Sequence, residues 1–456
     1  MRKEMFEHEI TILRDTFGRL LRRQAQTNLV KLIHKTHPAD IAVLFRYFTD
    51  EQQSKVFTLM REDEHTAEFL VELDDTLLSN LLQNETPERI SGLIEHASAN
   101  DQSYILGTLE EDQAQSVIDL LKTEEQEEIE ELMGYPEDSA GAMMTTDIFT
   151  LYQNSTCKDA LNSLQDQTEA EMVFYLYITD EDDRMVGVAS LRALATTPSD
   201  TLLKNIMVKR VHSVRPDTDQ EEVAQIVAQY NYLAVPVLDE DDHLLGIVTV
   251  DDVVDVIREE ATEDFLQMAG AGKDREILLK SSWENARARL PWLFASWIGG
   301  IIAVSIIGIF EDMLENIIAL AAFIPVIIGM GGNIGTQSST IIVRGMATGR
   351  IEIGNEIKIL FKEIRVGLIL GGLYGLLLGV FANFRFFDVD PLLGFVVGLS
   401  IFCSMLIATA VGTFIPLVLR KLDIDPAIAT GPIVTTSIDI LGVLLYFLIA
   451  GYFLTI

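Results

Sequence analysis

Long apolar segments in the last third of the chain constrain its fold more than any other feature. The sequence contains five of them, at residues 291–310, 316–343, 364–384, 391–419 and 428–456. A helix needs about 20 apolar residues to cross the hydrocarbon core of a bilayer, and backbone polar groups inside that core must bond within the protein. The segments therefore predict five membrane-spanning helices and a lipid bilayer as a partner.

The charge of the chain lies almost entirely outside these segments. Of the 456 residues, 34 are Lys or Arg and 69 are Asp or Glu, which gives a formal charge of −35. From Trp283 onward the counts are 10 and 12, so the preceding part has 24 basic and 57 acidic residues. Because phosphate binding requires clustered Lys and Arg, this acidic part disfavours a nucleic-acid partner. An acidic excess attracts cations instead.

The N-terminal part of the chain predicts an array of short amphipathic helices. Pro38 stands where the first residue of a helix would be. Thr49 with Gln52, and Thr123 with Gln126, have the spacing of a capping box. Short helices that recur with short loops indicate an all-α superhelical array.

An internal repeat follows this array. Residues Tyr177–Ser190 match Val237–Thr249, and each copy reads as a strand, an acidic turn and a second strand. Helical stretches at Thr156–Leu164 and Thr218–Gln229 precede the two copies. Strands that alternate with helices twice over predict a pair of small α/β modules.

Basic residues mark alternate loops between the apolar segments. Arg287 and Arg289 precede the first segment, further Lys and Arg occupy 344–365, and Arg420 and Lys421 precede the fifth. Short loops rich in Lys and Arg stay in the cytoplasm. We therefore expect a multi-pass protein of the plasma (inner) membrane, with its N-terminal region in the cytoplasm and its C-terminus outside.

One carboxylate, Asp439, lies inside the last apolar segment. A lipid-facing carboxylate costs at least about 2.5 to 3.5 kcal/mol, so such a residue faces a bundle interior or an aqueous path. Thr435 and Thr436 share its helical face by their spacing. Oxygen ligands suit a hard cation such as Mg²⁺ or Ca²⁺, and Mg²⁺ keeps several waters. A bond from Asp439 to neighbouring helices is the alternative.

One carboxylate per chain supplies only one negative charge, which is little for a divalent ion. A two-fold dimer would place a second Asp439 across the axis and supply the second charge. In the second apolar segment, Asn333 and Gln337 are four residues apart and would line one helical face with amide oxygens. Helix packing through Gly331 and Gly335 is the other interpretation of this segment.

Acidic residues also collect around the second α/β module and the segment after it. They are either a solvated face or a surface that bridging cations would hold in a compact state. No His-Glu-x-x-His pair or serine nucleophile elbow is present, so we expect no enzyme. The acidic residues are Asp217, Asp219, Glu221, Glu222, Asp251, Asp252, Asp255, Glu259, Glu260, Glu263 and Asp264.

The repeat, with Gly246–Asp252 as its more typical turn, resembles a tandem of CBS domains. The whole chain resembles the MgtE family of Mg²⁺ channels, through Gly331–Ser338 and the stretch from Asp425 to Asp439. The resemblance implies a multidomain protein whose parts fall at 1–135 (all-α helical array), 136–200 and 201–261 (two CBS modules), 262–290 (connecting plug helix) and 291–456 (five transmembrane helices).

The resemblance also implies a function. It is that of a homodimeric channel whose pore, lined by spans two and five, holds hydrated Mg²⁺ at Asp439. A cytosolic sensor would bind Mg²⁺ and close the pore. Family sensor ligands fall on Asp219, Glu221, Asp252, Asp255, Glu260, Glu263 and Asp264, with the Gly141 backbone and Asp425.

Several points differ from the family pattern or remain open. Asn231 and Thr336 stand where an acid and an asparagine are expected, and acids near Asp101 do not align cleanly. A CBS cleft containing Thr249 and Asp252 could also hold ATP or another adenine nucleotide. Alternative functions are a broader divalent cation transporter for Mn²⁺, Co²⁺ or Ca²⁺, and a membrane-tethered metal or nucleotide sensor without a pore.

Overall fold

The computed structural model describes residues 2–166, 175–274, 277, 280–351, 354, 356–422 and 424–454. The chain divides into two compact units, Met1–Ile257 and Arg258–Ile456. The predicted fold class is confirmed: a helical N-terminal region precedes two α/β modules, and long apolar helices occupy the C-terminal part.

The N-terminal helices stack around one apolar core. Ile41, Phe45 and Phe69 are among its fully buried side chains. Most of these helices have eight residues, too few to be stable alone in water, so this shared core stabilises the array. The helices are α1 (Arg2–Arg22), α2 (Gln26–Ile33), α3 (Pro38–Phe45), α4 (Asp50–Phe57), α5 (Glu64–Val71), α6 (Asp75–Leu82), α7 (Pro87–Ile94), α8 (Ala99–Gly107), α9 (Glu111–Ile118) and α10 (Thr123–Met133).

The capping predictions for this array have different outcomes. Pro38 is the first residue of α3, and the capping box between Thr49 and Gln52 is present at α4. The box predicted at Thr123 is wrong, because Thr123 is already helical and Lys122 is the cap residue. Gln126 instead donates its side-chain N–H groups to the carbonyls of Ile118 and Leu121, 2.8 and 2.9 Å away.

The two α/β modules confirm the internal repeat. In the first, β1 pairs parallel with β2 and β2 pairs antiparallel with β3; in the second, β4 and β5 form an antiparallel pair. Gly187 opposes Ile178 and Gly246 opposes Val237 at matching positions of the two hairpins. The elements are α11 (Ala140–Met143), β1 (Thr150–Tyr152), α12 (Cys157–Asp166), β2 (Tyr175–Thr179), β3 (Met185–Ser190), α13 (Leu191–Thr196), α14 (Gln220–Tyr230), β4 (Ala234–Leu238) and β5 (Leu244–Thr249).

The segment predicted as one connecting helix over 262–290 differs in the structure. Its first residues end α15 (Val250–Met268), which begins directly after β5, and its last residues begin α16 (Ser282–Ile309). Gly270 and Gly272 lie between them with φ values of +69° and +98°. Glycine adopts such φ values at little cost and commonly ends helices, so α15 stops before Gly270 and the predicted single helix is interrupted.

The described residues include five helices that are long and apolar enough to cross a membrane. They begin and end close to the predicted segments, except that α16 and α19 start several residues earlier and α18 starts eight residues later. A short helix and a 3₁₀ turn, Ile318–Phe323, link the first two spans. The helices of this unit are α16, α17 (Glu311–Asn316), α18 (Ile324–Ala347), α19 (Glu356–Phe386), α20 (Leu393–Lys421) and α21 (Pro432–Phe453), with a second 3₁₀ turn at Pro426–Ala429.

Glycines bring α19 and α20 into backbone contact. A β-carbon added at Gly371 would lie 2.9 Å from the Phe402 carbonyl oxygen, and one at Gly375 would lie 2.6 Å from that of Gly398. One at Gly379 would lie 2.8 Å from the carbonyl oxygen of Gly394. Positions that rise along α19 meet positions that fall along α20, so the two helices are antiparallel and separated by no side chain along this line.

Candidate metal centres

Asp439 lies two turns into α21, beside the glycine-rich part of α18. Its neighbour Ile438 packs against Gly331, where a β-carbon would lie 3.0 Å from Ile438 Cγ2, and also against Gly335. This packing sets the rotation of α21 and turns Asp439 toward Gly332, where a β-carbon would lie 3.8 Å from Asp439 Oδ1. The predicted glycine packing and the predicted position of the carboxylate beside α18 therefore occur together.

The two threonines predicted to accompany Asp439 have other neighbours. Thr435 donates its hydroxyl proton to the carbonyl of Gly431, 3.2 Å away, as serine and threonine often do in apolar helices. The methyl group of Thr436 packs against Gly299 of α16. The structure therefore does not gather these two hydroxyl groups into one site with the carboxylate.

Asn333 and Gln337 lie on one face of α18, as their spacing predicts. Both are exposed in the single chain. Their immediate neighbours Gly332 and Ser338 face other helices of the bundle. The amide face is therefore open toward whatever borders this side of α18.

A second carboxylate inside the bundle, Glu363, is absent from the sequence predictions. It lies on α19, is 7% exposed, and accepts a hydrogen bond of 3.0 Å from Ser338 of α18. The next residue of α18, Ser339, donates to Thr430 Oγ1 at 3.3 Å. Glu363 directly precedes the predicted third apolar segment, so it reads as a loop acid; only the earlier start of α19 makes it an interior residue.

Four predicted sensor acids of the second unit collect on α15 and just before α21. Glu260, Glu263 and Asp264 lie on α15, and Asp425 caps the 3₁₀ turn before α21 by accepting from the Ala427 N–H at 2.8 Å. Burial, together with the charges of Asp425 and Glu260, raises the pKa of Asp264 to about 6. Like charges held this close favour protonation or the binding of a cation.

A similar acidic cluster lies within the first unit. Thr249 donates to Asp252 Oδ2 at 2.6 Å, and burial raises the pKa of Asp252 to about 6, with Asp251 and Asp101 as further causes. Asp101 comes from α8 of the helical array, and burial raises its pKa as well. Sequence reasoning missed Asp101 as a partner of Asp252, because 151 residues separate them and only the fold brings them together.

The remaining sensor predictions fall at the start of α14 and on α15. Asp219 caps α14 by accepting from the Glu221 N–H at 2.8 Å, and the Gly141 N–H donates to Pro216 in the same loop. Asp255 is exposed. Asn231 ends α14 with a φ of +54°, a conformation that asparagine tolerates better than most residues, which accounts for its presence where an acid was expected.

The chemistry of these clusters fits a hard cation. Their donors are carboxylate, carbonyl and hydroxyl oxygens, the ligands preferred by Mg²⁺ and Ca²⁺. Across the described ranges, no three His, Cys, Asp or Glu side chains already converge as a closed metal site. Separated carboxylates of this kind suit Mg²⁺, which retains much of its hydration shell and is bound partly through water.

Comparison with protein families divides the chain in the same way. Residues 324–449 match a family described as a divalent cation transporter. Residues 36–138 match the MgtE intracellular N domain, and 140–199 and 203–259 each match a CBS domain.

Curated relatives match nearly the whole chain. The magnesium transporter MgtE of Bacillus subtilis is 35% identical over 95% of this chain and 96% of its own length. That of Thermus thermophilus is 36% identical over 92% and 94%.

Two solved structures resemble the N-terminal half. One, the soluble part of a magnesium transporter, is 31% identical with a TM-score of 0.50 and covers 55% of this chain and 99% of its own. The other, the cytosolic domain of the Mg²⁺ channel MgtE in complex with ATP, is 34% identical with a TM-score of 0.51 and covers 53% and 99%.

Proposed function

Because this chain belongs to the MgtE family of divalent cation transporters, we propose that it is a Mg²⁺-selective channel for Mg²⁺ uptake, closed by cytosolic Mg²⁺. Relatives that match over more than nine-tenths of their length are magnesium transporters, which supports Mg²⁺ as the transported ion. No catalytic function is proposed.

The observation that supports conduction best is the position of Asp439. A carboxylate two turns inside an apolar helix has a free-energy cost in the membrane. Such residues are usually kept because they bind an ion or transfer a proton. The backbone of α18 beside it is bare of side chains at Gly332, so a hydrated ion would find room there. We assign Asp439 to the ion path, with the amide face of Asn333 and Gln337 along it.

A homodimer is part of the proposal. Two Asp439 carboxylates facing each other across a two-fold axis would share one divalent ion. The exposed amide face of α18 supports this arrangement, because exposed Asn and Gln side chains are poorly suited to lipid. In this arrangement Thr435 and Thr436 contribute to helix packing next to the path.

Regulation is assigned to the acidic clusters. Mg²⁺ bound at Asp252, Asp219, Glu221 and the Gly141 loop would hold the first unit in a compact state. Mg²⁺ bound among Glu260, Glu263, Asp264 and Asp425 would hold α15 against the start of α21 and close the path. Release of these ions lets like charges separate, so low cytosolic Mg²⁺ opens the channel.

An adenine nucleotide is proposed as a second ligand of the CBS pair. A relative of this region forms a complex with ATP, and here Thr249 and Asp252 end β5 and begin α15. The orientation of the chain is proposed from its basic loops, with the first unit in the cytoplasm and the C-terminus outside. The match of residues 36–138 to an intracellular domain supports that orientation.

The proposal is tested with the purified protein in lipid vesicles. Asp439→Ala should reduce Mg²⁺ flux to the background of empty vesicles, whereas Asp388→Ala, in an exposed loop after α19, should leave it unchanged. Flux through Asp439→Ala at the wild-type rate would refute the assignment of Asp439.

Competition distinguishes the alternatives. Excess Mn²⁺, Co²⁺ or Ca²⁺ should inhibit Mg²⁺ flux only weakly; strong inhibition and flux of those ions would indicate a broader divalent pathway. Vesicles of the wild-type protein that bind Mg²⁺ or ATP without Mg²⁺ flux would indicate a sensor without a pore.

A further inference from the structure

Glu363 is turned into the bundle by the geometry of α19. It shares one face with Gly367, Gly371 and Gly375 at four-residue spacing, and all four are buried. Its neighbours Lys362 and Arg365 are exposed, so the basic residues around it lie on the outer face of the helix. The interior line of α19 thus begins with a carboxylate and continues with glycines.

Packing alone does not explain a carboxylate at this position. Each following position on the same line is glycine and fits against α20 with no side chain at all. A buried carboxylate inside a membrane protein is costly and is retained for a specific polar contact. The contact here is the hydroxyl of Ser338, 2% exposed, which donates to Glu363 Oε2 at 3.0 Å.

That contact fixes the helix on which the amide face lies. Ser338 directly follows Gln337 on α18, so any rotation of α18 that breaks the serine bond also moves Gln337. On the other side, Ser339 donates to Thr430, just before the start of α21. Two adjacent serines therefore hold α18 to two different elements.

We propose that Glu363 is a positioning residue of the ion path: its carboxylate accepts the Ser338 hydroxyl and fixes the rotation of α18 that directs Asn333 and Gln337 to the path and keeps Gly332 opposite Asp439. The proposal rests on the proposed function, because it concerns the same path. Glu363 contacts no ion in this role, so its effect should pass through Ser338.

Four variants test the proposal in vesicles: Glu363→Gln, Glu363→Ala, Ser338→Ala and the double variant Glu363→Ala/Ser338→Ala. Glutamine keeps an acceptor oxygen and should preserve the preference for Mg²⁺ over Mn²⁺ within about twofold. Each alanine variant should weaken that preference by about tenfold, the size expected for one hydrogen bond to a charged group. The double variant should be no worse than either single one, because both remove the same bond.

The control is Glu356→Gln, which removes an acid from the same helix that bonds the Gly354 N–H and pairs with Lys421. It should match the wild type. Equal damage from Glu363→Gln and Glu363→Ala, additive effects in the double variant, or wild-type preference in all of them would overturn the proposal.

A second measurement does not depend on transport. In a Cys157→Ser/Cys403→Ser background, a cysteine introduced by Asn333→Cys is labelled with a water-soluble thiol reagent. The labelling rate should change equally with Glu363→Ala and Ser338→Ala and return with Glu363→Gln. An unchanged rate would overturn the positioning role. Absence of Mg²⁺ flux in the wild type, with these labelling changes intact, would refute the proposed function and leave the positioning role standing.

Discussion

At the scale of single residues, the partly buried carboxylates Asp252 and Asp264 lower the stability of the folded state when they are ionised and have no cation bound. Burial, with a smaller contribution from neighbouring acids, raises the pKa of Asp252 and of Asp264 to about 6. A carboxylate whose pKa lies above its ordinary value destabilises the folded state once it is ionised. At neutral pH a divalent cation bound at either cluster, as proposed, would offset that cost.

The raised pKa of Asp252 determines the direction in which the stability of the first unit changes with pH. Its pKa is about 6 in the fold against 3.8 ordinarily, so in a chelator stability should fall as pH rises from about 4 through 6. Two pKa units correspond to about 3 kcal/mol at most. Asp252→Asn in a fragment of residues 1–257 should therefore raise the midpoint of thermal unfolding at pH 7.5 and leave it unchanged at pH 4.

The exposed Asp255→Asn on the same helix is the control and should change neither midpoint. If Asp252→Asn instead lowered stability at pH 7.5 without metal, the assigned burial cost of this carboxylate would be wrong. Addition of Mg²⁺ should stabilise the wild-type fragment more than the variant, because the variant retains fewer charged ligands.

At the scale of elements, the contact between α19 and α20 is made by backbone. Alanine has a better helix propensity than glycine by about 1 kcal/mol, so helix propensity alone favours alanine at both Gly375 and Gly372. At Gly375 a β-carbon would lie 2.6 Å from the Gly398 carbonyl oxygen, whereas at Gly372 nothing lies within 4 Å. At Gly375 the steric clash opposes the gain in helix propensity, whereas at Gly372 only the gain in propensity remains.

Gly375→Ala should lower the thermal midpoint of the detergent-solubilised protein, with a cost of about 1 to 3 kcal/mol typical of overpacking. Gly372→Ala should raise it slightly or leave it unchanged. Unfolding followed by light scattering and tryptophan fluorescence would report both. Equal thermal midpoints for the two variants would contradict a tight backbone contact between α19 and α20 at Gly375.

The elements also show what a sequence can and cannot predict. Apolar length predicts the five spans, and the expense of a charge in lipid points to Asp439. The same reasoning misses Glu363, because flanking Lys362 and Arg365 make it look like part of a loop until the start of α19 is known. It also joins α15 to α16, although Gly270 and Gly272, which adopt left-handed backbone conformations, are a typical signal for the end of a helix.

At the scale of the whole molecule, α15 contains residues of both compact units. Its first residues follow β5 in the first unit, and residues from Arg258 onward belong to the second. Five of the predicted sensor acids lie on this one helix: Asp252, Asp255, Glu260, Glu263 and Asp264. The proposed regulation by cytosolic Mg²⁺ is therefore tested by changing acids from both parts of this helix together.

Neutralising Asp252, Asp255 and Glu263 together, with asparagine and glutamine, should leave Mg²⁺ flux at low cytosolic Mg²⁺ intact and weaken its closure by high Mg²⁺. We expect the half-closing Mg²⁺ concentration to rise by about tenfold or more, which corresponds to a coupling of at least 1.4 kcal/mol. Patch-clamp recording with Mg²⁺ varied on the cytosolic face would measure it. Unchanged closure would mean that these acids are a solvated face.

The glycine contact between α19 and α20 has a consequence for biosynthesis. The two helices are neighbours in sequence, separated by residues 387–392, and their contact needs no other helix of the bundle. As the chain leaves the ribosome, this hairpin can close in the membrane while α21, with Asp439, is still to be made. When α21 follows, α18, α19 and α20 have already been made. The carboxylate of Asp439 can then enter the bilayer beside these helices and not as a lipid-exposed charge.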